Sequence, residues 1–104
     1  MAENTKEEKR IVVLVEWAGL SKEIYEELRK QVNWEGDIPK GMVAHLATFD
    51  KNGLRSAGVW ESEEDFNNFI QNRIIPAAGK QVDTKPNIEI FPLHTLFVPS
   101  IEKA

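Results

Sequence analysis

Five consecutive apolar residues, Ile11 to Val15 in RIVVLVEW, constrain this chain more than any other feature. Side chains of a strand alternate between faces, so such a run makes both faces of one strand apolar and demands cover on both. MVAHLATF, from Met42, repeats the demand. Val43, Ala47 and Phe49 fall on one parity there, with Met42, Ala44 and Leu46 on the other. A sheet made of these strands needs two layers of cover.

The rest of the pattern supplies one layer. GLSKEIYEELRKQVNW predicts a helix with Ser21 as N-cap and Ile24, Tyr25, Leu28 and Val32 along one side. Leu20, before the cap, is placed to staple against Tyr25. A second helix is predicted after Ser62, where Glu63, Glu64 and Asp65 occupy the first turn that the helix dipole favours for acids. Ser62 and Asp65 have the spacing of a capping box, so these acids read as capping residues before they read as an active site. Phe66, Phe69, Ile70, Ile74 and Ala77 mark the buried side, Pro76 loosens the last turn and Gly79 stops it.

DKNG predicts a hairpin, because Asn52 and Gly53 tolerate the positive φ that a type I′ turn requires. A two-residue turn there sets His45 opposite Trp60; a four-residue loop slides His45 opposite Gly58. In either register His45, Gly58 and Trp60 share one face. NIEIFPLHTLFVP predicts a last strand with Pro92 in its middle, so it lies at an edge or breaks there. The order β, α, β, β, α, β implies an α+β, ferredoxin-like domain: a four-stranded antiparallel sheet with two helices on one face. Residues 10–100 are expected to form this one domain, between a polar, disordered tail at 1–9 and a short C-terminal tail at 101–104. The uncovered apolar face predicts a twofold homodimer with sheet packed on sheet.

Composition removes several classes of function. The chain has no cysteine, which excludes disulfides, thiolate zinc sites and cysteine nucleophiles. A net charge of −4 without a basic stripe argues against nucleic acid as a partner. The RNA-recognition motif has the same element order, but LRSAGVW offers small residues where stacking rings are needed. No apolar run approaches the roughly 20 residues that span a bilayer, and MAENTKEEKR lacks a secretory apolar stretch. No membrane partner and a cytoplasmic location are expected.

VWESEEDFNNFIQNRIIPA, within this element order, resembles the dimeric α+β barrel superfamily, in particular the antibiotic-biosynthesis-monooxygenase-like proteins. The resemblance covers residues 11–98 in topology and 59–78 in motif. It implies a homodimer and admits cofactor-free oxygenases, haem-degrading oxygenases, isomerases and non-catalytic proteins. In the haem-degrading branch the iron-ligating histidine falls late in the second helix, where this chain has Ala78, Gly79 and Lys80, and Phe69 stands at that branch's tryptophan position. No haem is therefore expected. Two histidines on separate strands, with no acid spaced to join them, predict no metal, and no other cofactor is expected.

His45 and His94 are the only imidazoles. His45 is the candidate general base, with Trp60 as the surface on which an aromatic substrate stacks and Gly58 as the gap that leaves room for it. The competing reading makes His45 a satisfied structural residue. Tyr25 carries a hydroxyl that can orient a ligand, and Phe69 extends the aromatic set. Trp34, beside Glu35 and Gly36, either covers a pocket as an exposed lid or anchors its loop on the body. Trp17 and Trp60 also fit as core filler at strand ends. His94 reads as interface packing, and Arg73 as a residue snorkelling to water. Glu16 and Glu61 can divide acid and base work only if they meet. The expected function is a small-molecule-binding or stress-related homodimer with a hydrophobic or aromatic ligand. The alternative is a cofactor-free, monooxygenase-like enzyme acting on an aromatic or polyketide-like molecule.

Overall fold

In a computed structural model, which describes residues 9–99, the apolar run takes the interior position of the sheet. Strand β1 (Ile11–Ala18) lies between β3 (Gly53–Trp60) and β4 (Asn87–Pro92), and β2 (Met42–Asp50) flanks β3, giving the order β2-β3-β1-β4. All neighbours are antiparallel. Helix α1 (Lys22–Val32) follows β1; α2 (Glu63–Phe69), a π turn (Ile70–Ile74) and α3 (Ile75–Ala78) follow β3 as one continuous rod. This is the expected ferredoxin-like α+β arrangement. The tails expected at 1–9 and 101–104 lie outside the described residues, apart from Lys9.

Both helices cover the same face. Val13, Val15 and Trp17 of β1 are buried against Leu28 of α1 and Phe66, Phe69, Ile70 and Ile74 of the second rod. Burying each such aliphatic side chain contributes about 1.5–3 kcal/mol. Helix α1 starts where predicted, with Ser21 Oγ accepting from Ile24 N–H at 3.2 Å. It ends at Asn33, whose left-handed φ of 58° lets its N–H reach the Arg29 carbonyl. Ser62 Oγ likewise accepts from Asp65 N–H at 3.1 Å. The Asp65 carboxylate lies over Gly41, whose φ of +87° and missing side chain allow that approach, and is 4.0 Å from Lys40 Nζ.

Three expectations need correction. The hairpin takes the second of the two expected registers, with Phe49 against Leu54 and His45 against Gly58, but its ladder continues to Asp50 opposite Gly53, so the turn falls on Lys51 and Asn52. The Asp50 carboxylate accepts from the N–H groups of Asn52 and Gly53 and so fixes the turn one residue earlier than the type I′ reading required. Gly53 has positive φ and Asn52 does not. In β2 a bulge between Met42 and Ala44 sets Met42 opposite Trp60, packed on the core with Ala47 and Phe49, rather than on the opposite parity. In the second rod Ala78, not Ala77, is the fully buried alanine. Ile75 N–H bonds to the Ile70 carbonyl, and this wider turn, just before Pro76, moves the buried stripe by one residue.

β4 is an edge strand and ends at Pro92, as its proline requires. Beyond it Leu93 is buried and donates its N–H to the Arg10 carbonyl, whereas His94, Phe97 and Val98 are exposed. The second face of the sheet stays open in the single chain: Leu14 is 39% exposed, Leu46 63% and Phe91 47%. Among the described residues, no helix is long and apolar enough to cross a membrane.

Candidate functional site

The alternation of β1 and β3 puts Val13, Val15, Ser56, Gly58 and Trp60 on the helix side of the sheet, with His45 beside Gly58 on β2. Sheet and helices do not close completely over this surface. They leave a cavity of about 80 Å³, several times the roughly 10–15 Å³ that one water occupies by the same measure. Its walls are mostly aromatic: Trp17 at one end, Trp60 with Phe66 and Phe69 at the other, and Tyr25 and Trp34 on the α1 side. Among the described residues that line it there is no lysine, arginine, aspartate or glutamate.

The rings form a connected set. Trp60 packs on Phe69 with centroids 5.4 Å apart and meets Phe66 edge-on at 5.6 Å. Trp34 meets Phe69 edge-on at 6.5 Å, His45 edge-on at 5.6 Å and Tyr25 at 5.6 Å. These separations lie in the range of favourable aromatic pairs, each worth about 0.5–1.5 kcal/mol beyond area burial. Trp34 is 6% exposed, so of the two sequence readings the anchor holds and the exposed lid does not. Arg73 fixes its loop from behind, donating from Nη2 to the carbonyls of Val32 at 2.8 Å and Asp37 at 3.0 Å, while its guanidinium stacks 5.4 Å from the Phe69 centroid. Arg73 thus clamps the loop instead of snorkelling to water.

Tyr25 and His45 meet at the edge of the cavity. The Tyr25 hydroxyl lies 2.9 Å from His45 Nε2, and the two rings are stacked at 17°. The His45 ring packs against Tyr25 and Trp34, and the residue as a whole remains exposed. Loss of water holds its pKa below the ordinary value; Glu35 opposes this and Arg29 adds to it. Burial likewise pushes the Tyr25 hydroxyl up, with Arg29 opposing and Glu26 and Glu35 adding. Near neutral pH the pair is therefore an uncharged imidazole beside an un-ionised phenol.

Each residue singled out in the sequence has a definite place. His45, Tyr25, Trp34, Gly58, Trp60 and Phe69 all line the one cavity. The gap expected above Gly58 is partly taken: a methyl group there would sit 3.1 Å from Trp60 Nε1, so the indole folds over the glycine. Trp17 donates its N–H to the Thr84 carbonyl at 3.2 Å. Glu16 pairs with Arg55 and Glu61 with Arg10, so these two carboxylates serve separate ion pairs. Ser56 and Met42 belong to the lining and were not singled out. The parity of β3 was a signal for Ser56, the one hydroxyl on its inner face, whereas the bulge hid Met42. Among the described residues, no group of three His, Cys, Asp or Glu is disposed to hold a metal ion.

Comparison with solved structures bears on the fold. A protein of unknown function from Nitrosomonas europaea superposes with a TM-score of 0.68 at 16% identity, covering 90% of this chain and 98% of its own. SnoaB, a cofactor-independent oxygenase from Streptomyces nogalater, gives 0.62 at 13% identity, covering 88% and 99%. The ActVA-Orf6 monooxygenase of Streptomyces coelicolor, solved with the ligand nanaomycin D, gives 0.58 at 14% identity, covering 93% and 97%. The fold is that of the antibiotic-biosynthesis-monooxygenase-like structures. The likeness suggested by VWESEEDFNNFIQNRIIPA therefore holds at the level of fold. No protein-family model and no curated protein sequence matches the chain.

Proposed function

We propose that this chain is a homodimeric, cytoplasmic binding protein, in which the unit formed by residues 10–100 takes a small aromatic or polyketide-like molecule into the cavity between sheet and helices. The observation that carries this reading is the aromatic, charge-free cavity whose few polar groups include the Ser56 hydroxyl and the Tyr25–His45 pair at its edge. Binding sites of this kind are mostly apolar with a few polar groups that fix orientation. Homodimerisation is supported by the open apolar face around Leu14, Leu46 and Phe91 and by the exposed Phe97 and Val98 beyond β4. The test is light scattering on the purified protein, followed by extraction and mass spectrometry of whatever small molecule travels with it. A dimer carrying an aromatic metabolite supports the proposal; a monomer with an empty cavity that takes up no aromatic compound contradicts it.

A second reading is cofactor-free oxygenation, favoured specifically by the Tyr25–His45 contact inside a fold shared with SnoaB. In that reading His45, as neutral imidazole, takes a proton from the substrate and Tyr25 orients it. Oxygen uptake with a bound hydroxyarene, lost in His45→Ala, supports it; uptake unchanged in that variant removes His45 from the chemistry.

A further inference from the structure

The polar equipment of the cavity is more selective than its size. Tyr25 and His45 present either of two hydrogen-bond patterns, depending on which imidazole nitrogen carries the proton. When Nε2 is bare, the Tyr25 hydroxyl donates to it, and the phenol oxygen is left to accept from a ligand. When Nε2 carries the proton it donates to the Tyr25 oxygen, and the Tyr25 O–H is left to donate. A ligand hydroxyl satisfies both patterns. A carboxylate or a ketone, which only accepts, satisfies one.

Charge points the same way. The guanidiniums near this region are engaged elsewhere: Arg29 with Glu26 and Glu35, the latter at 2.9 Å, and Arg73 with the Val32 and Asp37 carbonyls. An anion drawn among Trp34, Trp60 and Phe69 would lose its water and find no counter-charge on the walls, which is costly. An uncharged ring loses nothing comparable, and its faces meet aromatic side chains on several sides.

Resting on the small-molecule reading above, we infer that the cavity selects an uncharged planar compound bearing a hydroxyl, a phenol or an enol, and rejects the corresponding carboxylate. Equilibrium dialysis of the intact protein against 2-naphthol, naphthalene and 2-naphthoate tests this at about pH 8, where the carboxylate is ionised and the phenol is not. The expected order is naphthol tightest, then naphthalene, then naphthoate, with at least about tenfold between naphthol and naphthoate. The double variant Tyr25→Phe with His45→Leu, which removes both hydrogen-bonding partners, should lose the advantage of naphthol over naphthalene, about threefold to tenfold, and an unchanged circular-dichroism spectrum shows that the variant is folded. Naphthoate binding as tightly as naphthol, or a naphthol advantage that survives in the folded double variant, overturns this inference and leaves the small-molecule reading standing. Failure of all three compounds to bind overturns both.

Discussion

Leu46→Lys separates the folding of one chain from the pairing of two. Leu46 lies on the open face of the sheet and is 63% exposed in the single chain. Full burial of a leucine side chain contributes about 1.5–3 kcal/mol, so covering this exposed fraction is worth about 1–2 kcal/mol per copy. A twofold interface uses the same patch twice, which doubles the loss to about 2–4 kcal/mol, or a factor of about 30 to 700 in the dimer dissociation constant. Two lysines set into an apolar interface raise the cost further unless they reach water. The single fold should notice little, because an exposed substitution of this kind stays within about 0.5 kcal/mol. The assay is light scattering over a dilution series, with a circular-dichroism melt in the dilute limit. Wild type should hold its doubled mass at dilutions where the variant has fallen to one chain, with matching melts. A variant that keeps the wild-type mass throughout refutes the reasoning, as does a wild type that is a single chain at every concentration.

Two further outcomes follow from the site. Below about pH 6.5 the unfolded chain takes up a proton at His45 before the folded chain does, so stability should fall as pH drops through that window and level off once folded His45 is also charged. Urea midpoints measured across the window should show this slope in wild type and lose it in His45→Gln; equal slopes in both contradict the assignment. Arg73→Met removes the donors that hold the Val32 and Asp37 carbonyls and leaves the loop carrying Trp34 to the Arg29–Glu35 ion pair, the Asp37 N–H bond to the Asn33 carbonyl and the buried indole. With the Asp37 side of the contact exposed, the loss should be about 1–2 kcal/mol, read as faster amide exchange at Asp37 with little change at β1; unchanged exchange at Asp37 refutes the clamp.

The legible parts of the sequence were those where one local signal decided the outcome. Ser21 and Ser62 specified both helix starts, because a cap is chosen by neighbouring residues alone. Pro92 set the edge position and end of β4, because a missing donor has no tertiary remedy. Alternation placed His45, Gly58 and Trp60 on one face in either register. The corrections occurred where two local signals competed. Asp50 competes with Asn52-Gly53 for the turn and captures it, the β2 bulge turns Met42 inward, and the π turn moves full burial from Ala77 to Ala78. Tyr25 and His45 were each visible as candidates, but their contact across 20 residues depends on how α1 is set over β2, which no local pattern encodes. Arg73 belongs to the same class, since its acceptors are backbone carbonyls on another element.

The account depends on a ligand lodging between sheet and helices, and the three indole N–H signals in a proton–nitrogen spectrum report on that space directly. Trp17, Trp34 and Trp60 all line the cavity, whereas Leu14, Leu46 and Phe91 lie on the opposite face. Titration with 2-naphthol should shift the Trp34 and Trp60 indoles together with the Tyr25 and His45 signals, leaving the amides of Leu14, Leu46 and Phe91 in place. Shifts confined to those three outer-face positions, with the indoles unmoved, would contradict it.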